Sequence, residues 1–465
     1  MMDVPPASTI LEPPTVPVPR PTRRDQVRVM RRLLSTPQSA LDDVAAAYGP
    51  ICGLGAGPLR MTIIGQPSLI RELLMLPNDR FTYDIPISPF GFVVGKTTMI
   101  SSDGDDHQRR RGSVQQAFSR RRLERWIPMI IDRTDAAIDQ LLVTSTPDTA
   151  VDLYPFGRRL LIDIVLRTLF GERLATRIDE IDQRFARSQL YLSRPLFRHL
   201  PHPFPWTERA AVRRDREALD AIIDDAIDAS RLDPPVGDDT GDVLDALVHR
   251  SDLSDEEIRD QVKSLIGAGY DTTASSLAWM LWEVTMSERL WAALRGEADD
   301  VMGGVPDAPP GSAALTALDL ARRSMRESLR LHPASGVSAR TTAGEIRLGQ
   351  HVIPRGTLML WSPYLAGRDP SAWANPDRFD PDRFTVLDTS QQALADEAWV
   401  PFGRGPRMCV GFALAPMELT LILSRLAQRL DIRPTSTAVP EPVGLIVSQP
   451  RGGAAMFVSS RPDPE

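Results

Sequence analysis

The sequence predicts a mainly α protein with a small β portion, and three observations carry that reading. From Arg120 to about Arg231, apolar residues recur at helical spacing in "ERWIPMIIDRTDAAIDQLL", "RRLLIDIVLRTLFG" and "DREALDAIIDDAIDAS". A second run, "SDEEIRDQVKSLIGAGYDTTASSLAWMLWEVTM", opens with Ser254 and Glu257 at capping-box spacing and stays apolar for about thirty positions. At 1.5 Å per residue that helix spans ~45 Å, enough to cross a domain. Sheet is confined to short segments such as "GEIRLGQHVIPRGTLMLW".

Taken in order, the chain starts with seven prolines between Pro5 and Pro21. They make residues 1–24 an extended, polyproline-like arm that need not pack, and residues 25–465 read as one domain because no linker divides them. "PLRMTIIGQPSLIRELLML" reads as a strand, a Gly-Gln-Pro-Ser turn and a helix. After the helical middle and the long helix come a "GGVPDAPPG" loop, a helix through "ARRSMRESLRL", and the short strands. "GRDPSAWANPDRFDPDRF" is too rich in Pro, Asp and Asn for regular structure, and a last helix runs through "ALAPMELTLILSRLAQRL".

Composition narrows the class. Hydrophobic residues at 42% and charged residues at 25% suit a soluble globular protein with a substantial core. A formal net charge of -7 argues against general nucleic-acid binding. No window of 18 or more residues is wholly apolar, and the first residues lack the basic start and apolar core of a signal peptide, so no membrane span and a cytoplasmic location are expected. Two cysteines, Cys52 and Cys409, make no disulfide framework or zinc set. Lys96 and Lys263 are the only lysines, and the arginine, alanine and proline bias hints at a bacterial source.

Cys409 lies in "PFGRGPRMCVGFALAP". Gly403, Gly405 and Gly411 let the backbone wrap closely around the thiol just before a helix, whose positive end and N–H groups should hold it as a thiolate. A lone sulfur ligand suits an iron whose other ligands come from a macrocycle, whereas zinc requires more protein ligands. Haem is then the natural cofactor, and Arg407 is placed to meet one of its propionates. The plainer account is a structural cysteine in a glycine turn. Against it stands the pattern Phe402-Gly403-x-Gly405-x-Arg407-x-Cys409-x-Gly411, which would arise by chance at odds on the order of one in a hundred thousand.

On these residues the chain resembles the cytochrome P450 family, of the soluble bacterial type. The resemblance covers roughly Asp25 to Val458 and implies a triangular, helix-rich domain around haem b. Cys409 would be the axial metal ligand and Phe402 would pack beside its sulfur. Within "AGYDTT", Thr272 would hydrogen-bond the oxygen being activated and Asp271 would relay protons from solvent. A cluster of small and polar residues in mid-helix equally suits close helix packing. In "ESLR", Glu327 and Arg330 would join Arg383, of the segment Pro381 to Phe384, in a structural trio that holds the stretch leading to the cysteine. His107 and Arg111, at i and i+4 in "GDDHQRRRG", and Arg340 would join Arg407 on the propionates.

The implied reaction inserts one oxygen atom of O2 into a lipophilic small molecule, a terpene, steroid, fatty acyl chain or polyketide. Electrons would come from a separate ferredoxin or flavodoxin with its reductase, docking on a basic surface of Arg109, Arg110, Arg120 to Arg122 and Arg125. A monomer is expected. Substrate contacts are expected from Ile85 to Val94, from Leu265, Ile266 and Ala268, from Ala334 to Val337 and from Leu445 to Val447. One departure is Pro416, where many bacterial relatives have arginine; a proline there is expected to kink the helix after the cysteine. A haem-thiolate peroxygenase or isomerase without an electron partner, and a haem-dependent ligand binder without turnover, are the alternatives.

Overall fold

A computed structural model describes residues 15–83, 89–192, 194, 199, 204–235, 241–303, 312–385, 388–444 and 446–461. Its centre is a helix, Asp255–Thr285, of 31 residues, capped by the Ser254 and Glu257 box that the sequence announces. Nearly all of it is buried, and it packs most extensively against the helix Leu153–Ala175. The helices Arg120–Thr144, Glu208–Leu232, Asp319–Leu331 and Leu414–Arg429 surround this pair and share one apolar core with it. Such a core suits a helix buried on nearly every face, its polar residues included.

A five-stranded sheet stands beside the helices. Its strand order is Ile51–Leu54, Met61–Ile64, Leu358–Trp361, Ser338–Thr342 and Phe81–Thr82, with only the second and third parallel. Met61 pairs with Leu358 and Arg340 with Met359, so the register fixes where Arg340 leaves the sheet. The expected strand, turn and helix after Arg60 are Met61–Ile64 and Pro67–Met75. A three-stranded sheet joins Ala150–Asp152 to the C-terminal strand Ala455–Ser460 and to Leu430–Pro434. The first of these strands interrupts the expected helical middle and is only three residues long, below the reach of a periodicity argument.

Of the expected arm, residues 15–24 are described: residues 15–20 are mostly exposed but hydrogen-bond to the sheets, and its last residues already open a helix. Val16 N donates to Gln350 O at 2.9 Å, and Pro19 O accepts from Gly53 N at 2.8 Å on the edge strand. The first helix, Arg23–Ser35, starts after Thr22, whose hydroxyl accepts from Asp25 N. No helix among the described residues is long and apolar enough to cross a membrane.

Candidate active site

The cysteine loop is shaped by two left-handed glycines, Gly403 at φ 68° and Gly405 at φ 70°. A Cβ at Gly405 would lie 2.5 Å from Leu74 O, so the close approach to the Pro67–Met75 helix also demands glycine. Cys409 N donates to Phe402 O at 2.9 Å, closing the loop, while the Phe402 ring packs against the main core and Trp399. The helix begins at Leu414, not directly after the cysteine. Cys409 is solvent-accessible, yet the surrounding protein pushes its thiol pKa up, an effect opposed by the Gly411 N–H and the charge of Arg111. The loop alone therefore does not make the expected thiolate; a metal bound to the sulfur would take the proton off.

Pro416 does not kink its helix. It stands third in Leu414–Arg429, within the first turn, where proline is tolerated. Its carbonyl accepts from Thr420 Oγ1 at 2.7 Å.

Arg407 lies within electrostatic reach of His107, Arg111 and Arg340, and Arg111 within reach of His107. Arg407 donates to Met99 O at 3.3 Å and to Ser102 O at 2.6 Å, and its guanidinium lies 3.8 Å from the centre of the Tyr83 ring. Arg340 donates to Leu73 O and lies over the Phe81 and Tyr83 rings. His107 is 3% exposed, and burial, with the charges of Arg407 and Arg111, lowers its pKa to about 4. It is therefore a neutral imidazole at pH 7. His107 Nδ1, Arg340 Nε and Arg407 Nε are buried with no hydrogen-bond partner among the described residues. A cavity of about 540 Å³ lined by Asn78, His107, Arg111, Gly405 and Met408 adjoins the cysteine loop. An accessible thiol beside three unspent donors of this kind fits a planar, dicarboxylate-bearing macrocycle with one axial protein ligand.

On the central helix the polar cluster divides by role. Gly269 faces Val165, where a Cβ would come to 3.2 Å, and Gly267 faces Phe185 at 3.4 Å, so the glycines serve close helix packing. Ala268 is exposed and Thr272 half-buried, one turn apart, on a helix otherwise sunk in the core. Thr272 Oγ1 donates to Ala268 O at 2.7 Å, and Thr273 and Ser276 make the same backward bond to Gly269 O and Thr272 O. Such bonds compete with the helical ladder. Asp271, 5% exposed, accepts from Tyr154 OH at 2.9 Å and lies 3.4 Å from Arg158 Nε. Burial pushes its carboxyl pKa up against the pull of Arg158 and Tyr154.

Glu327, Arg330 and Arg383 meet. Arg330 forks onto both Glu327 oxygens at 2.7 and 2.8 Å, Arg383 Nε reaches Oε1 at 3.2 Å, and Asp380 N donates to the same oxygen at 2.9 Å. The two arginines also donate to carbonyls of Ala374, Asn375, Pro376 and Arg378, which ties down the irregular stretch. Asn375 there adopts φ 46°.

Some expected contacts fall elsewhere. Leu265 and Ile266 are buried in the main core, leaving Ala268 as the exposed member of that group. Residues 85–88 and Leu445 lie outside the described residues. Ala334 and the segment 446–448 converge on the central helix through Ser448, whose N–H donates to Ala334 O and whose carbonyl accepts from Ser275 and Trp279. Arg109 and Arg110 leave the proposed basic surface: both pair with Glu257, and Arg110 is 8% exposed. Sequence reasoning missed Tyr83, Tyr154 and Arg158, and read Glu257 only as a cap, because the side-chain partners that matter here lie far away in sequence.

Comparison with known proteins agrees with this geometry. The cytochrome P450 family profile matches residues 25–455. The chain is 30% identical over 401 residues to cyclooctat-9-en-7-ol 5-monooxygenase of Streptomyces melanosporofaciens, covering 83% of each chain. It is 30% identical over 418 residues to pentalenene oxygenase of Streptomyces avermitilis, covering 86% of this chain and 88% of that one. Its fold superimposes on a retinoic-acid-bound cyanobacterial CYP120A1 with a TM-score of 0.76 at 23% identity, over 90% of this chain and 94% of the other. The family match over most of the chain and the relatives at this identity and coverage show that the chain belongs to the cytochrome P450 family of haem-thiolate monooxygenases.

Proposed function

We propose that Cys409 is the axial thiolate of haem b and that the chain hydroxylates or epoxidises a lipophilic small molecule of the terpenoid class. The observation that carries the cofactor reading is the accessible Cys409 thiol beside the unpartnered buried donors of His107, Arg340 and Arg407. The terpenoid reading is supported by relatives named for cyclooctat-9-en-7-ol and pentalenene. Haem, when bound, supplies the reductive activation of O2 and the oxidising power for attack on a C–H or C=C bond.

The chain's own residues do the rest. With haem bound, Arg407, Arg340 and Arg111 would neutralise its carboxylates, and neutral His107 would offer one of them a hydrogen bond. Thr272 Oγ1 parks its proton on Ala268 O, which turns its lone pairs outward as acceptors. Asp271 takes protons from solvent and passes them toward Thr272. Glu327, Arg330 and Arg383 hold the segment before the cysteine loop. Electrons arrive from a ferredoxin or flavodoxin, for which the surface bearing Arg120, Arg121, Arg122 and Arg125 is the docking site, and the protein works as a cytoplasmic monomer.

Reduction under carbon monoxide tests the ligand: the purified protein gives the red-shifted Soret band of thiolate-bound ferrous haem, and Cys409→Ala loses it. A screen of terpenoids by spectral shift, followed by turnover with surrogate ferredoxin and reductase, tests the reaction. Product formation with hydrogen peroxide but not with the electron chain would establish the peroxygenase alternative instead.

A further inference from the structure

Asp271 is held from outside its own helix by a pair of residues that the proton-relay reading does not use. Tyr154 OH donates to Asp271 Oδ1 at 2.9 Å, and Arg158 Nε lies 3.4 Å from the same oxygen. Oδ2 makes no hydrogen bond to a described residue. Arg158 is itself fixed by the Tyr270 hydroxyl at 2.9 Å and lies 3.8 Å from Asp182. Side-chain exposure rises outward, from 8% at Asp271 through 23% at Arg158 to 30% at Asp182, so the acid sits at the inner end of a polar file that reaches solvent.

Tyr154 is rigidly mounted. It stands in the first turn of Leu153–Ala175, with its N–H on Asp152 Oδ1 at 3.0 Å. Asp152 also accepts from Ala454 N at 2.8 Å, and its strand pairs Asp152 with Ala455 in the C-terminal strand. Gly453, at φ 76°, lies so close that any Cβ would run into the Asp152 carboxylate. The phenol is thus aimed at the central helix by a sheet formed from distant parts of the chain.

The two partners differ chemically. Arg158 attracts the ionised carboxylate by charge. Tyr154 attracts it by a neutral hydrogen bond, and burial together with the Asp271 charge keeps the phenol protonated throughout the working pH range. The charged and titratable groups facing Asp271 are Tyr154 and Arg158 from one helix, Asp182 from Ile178–Leu192, and the neighbouring Tyr270.

We propose that Tyr154 is a positioning residue for proton delivery: its hydroxyl, with Arg158, clamps Asp271 Oδ1 and leaves Oδ2 as the oxygen that exchanges protons with the Thr272 side. This rests on Asp271 being the relay acid. Removing the phenol removes a donor to the charged form, so the carboxyl must bind its proton more readily.

The test is an infrared titration of the Asp271 carboxyl, identified by its loss in Asp271→Asn, together with product formed per electron as a function of pH. In Tyr154→Phe the carboxyl holds its proton at about tenfold lower proton concentration than in the parent protein, and the acidic limb of the coupling profile moves to higher pH by the same factor. 3-Fluorotyrosine at position 154, a stronger donor of the same shape, moves both the other way and serves if the phenylalanine variant folds poorly. An unmoved carboxyl titration in both variants overturns the proposal. If Asp271→Asn itself leaves coupling unchanged, the relay reading fails rather than the clamp, because the infrared shift is independent of turnover.

Discussion

Arg110 Nε donates to Glu257 Oε1 at 2.9 Å, joining the helix Gly104–Gln115, which carries His107 and Arg111, to the capped start of the central helix. Arg109 bonds the same carboxylate, and Ser254 N donates to its other oxygen at 3.0 Å. The Arg109 hydrogen bond leads the causes that hold the Glu257 pKa down at about 2. A depressed carboxylate contributes stability that is present above its unfolded value and is lost as pH falls toward the folded one. Glu257→Gln is therefore expected to lower stability at pH 7 by about 1–3 kcal/mol. Thermal unfolding at several pH values checks this: the gap to the parent protein closes as pH falls from about 4.5 toward 2.

The Glu327 and Arg330 pair has no exposed side-chain surface on either partner. Glu327→Gln leaves the Arg330 charge uncompensated in the interior, at an expected cost of about 3–5 kcal/mol. Arg383→Ala removes one of several donors and costs about 1–2 kcal/mol. Haem content per protein and melting temperature should rank the two in that order. Equal losses would mean that the charge balance of the trio is unimportant.

What was legible in the chain was local. The capping box at Ser254 and Glu257, the glycines around Cys409, and the i, i+3 spacing of Glu327 and Arg330 all lie within a few residues of each other, where spacing fixes geometry. What was hidden needed the fold. Tyr154 reaches Asp271 across 117 positions, and Arg109 reaches Glu257 across 148. An arginine run also looks the same whether it faces solvent or, like Arg110, turns inward to a carboxylate.

The same limit explains Pro416. Its effect depends on where the helix begins, and the turn at residues 410–413 delays that start to Leu414. Pro416→Arg is thus expected to change stability by less than about 1 kcal/mol. Gly405→Ala, which combines a left-handed backbone with a clash on Leu74 O, should cost at least about 1–2 kcal/mol and reduce haem retention. Melting temperatures of the two variants provide the check, and a Pro416→Arg variant stabilised by several kcal/mol would restore the kink argument.

Glu418, on the helix after the cysteine loop, is 1% exposed, and its Oε1 has no hydrogen-bond partner among the described residues. Burial alone pushes its carboxyl pKa up to about 8. A group whose folded pKa is raised binds its proton more tightly in the native state. Its stabilising contribution is full below the unfolded value near 4.5 and is lost as pH rises toward 8. Glutamine has the same shape without the charge, so Glu418→Gln should match the parent protein near pH 4.5 and exceed it at pH 8 by a few kcal/mol. Denaturant unfolding at the two pH values measures the difference. A variant that trails the parent equally at both would show that the carboxylate is ionised and satisfied within the folded protein.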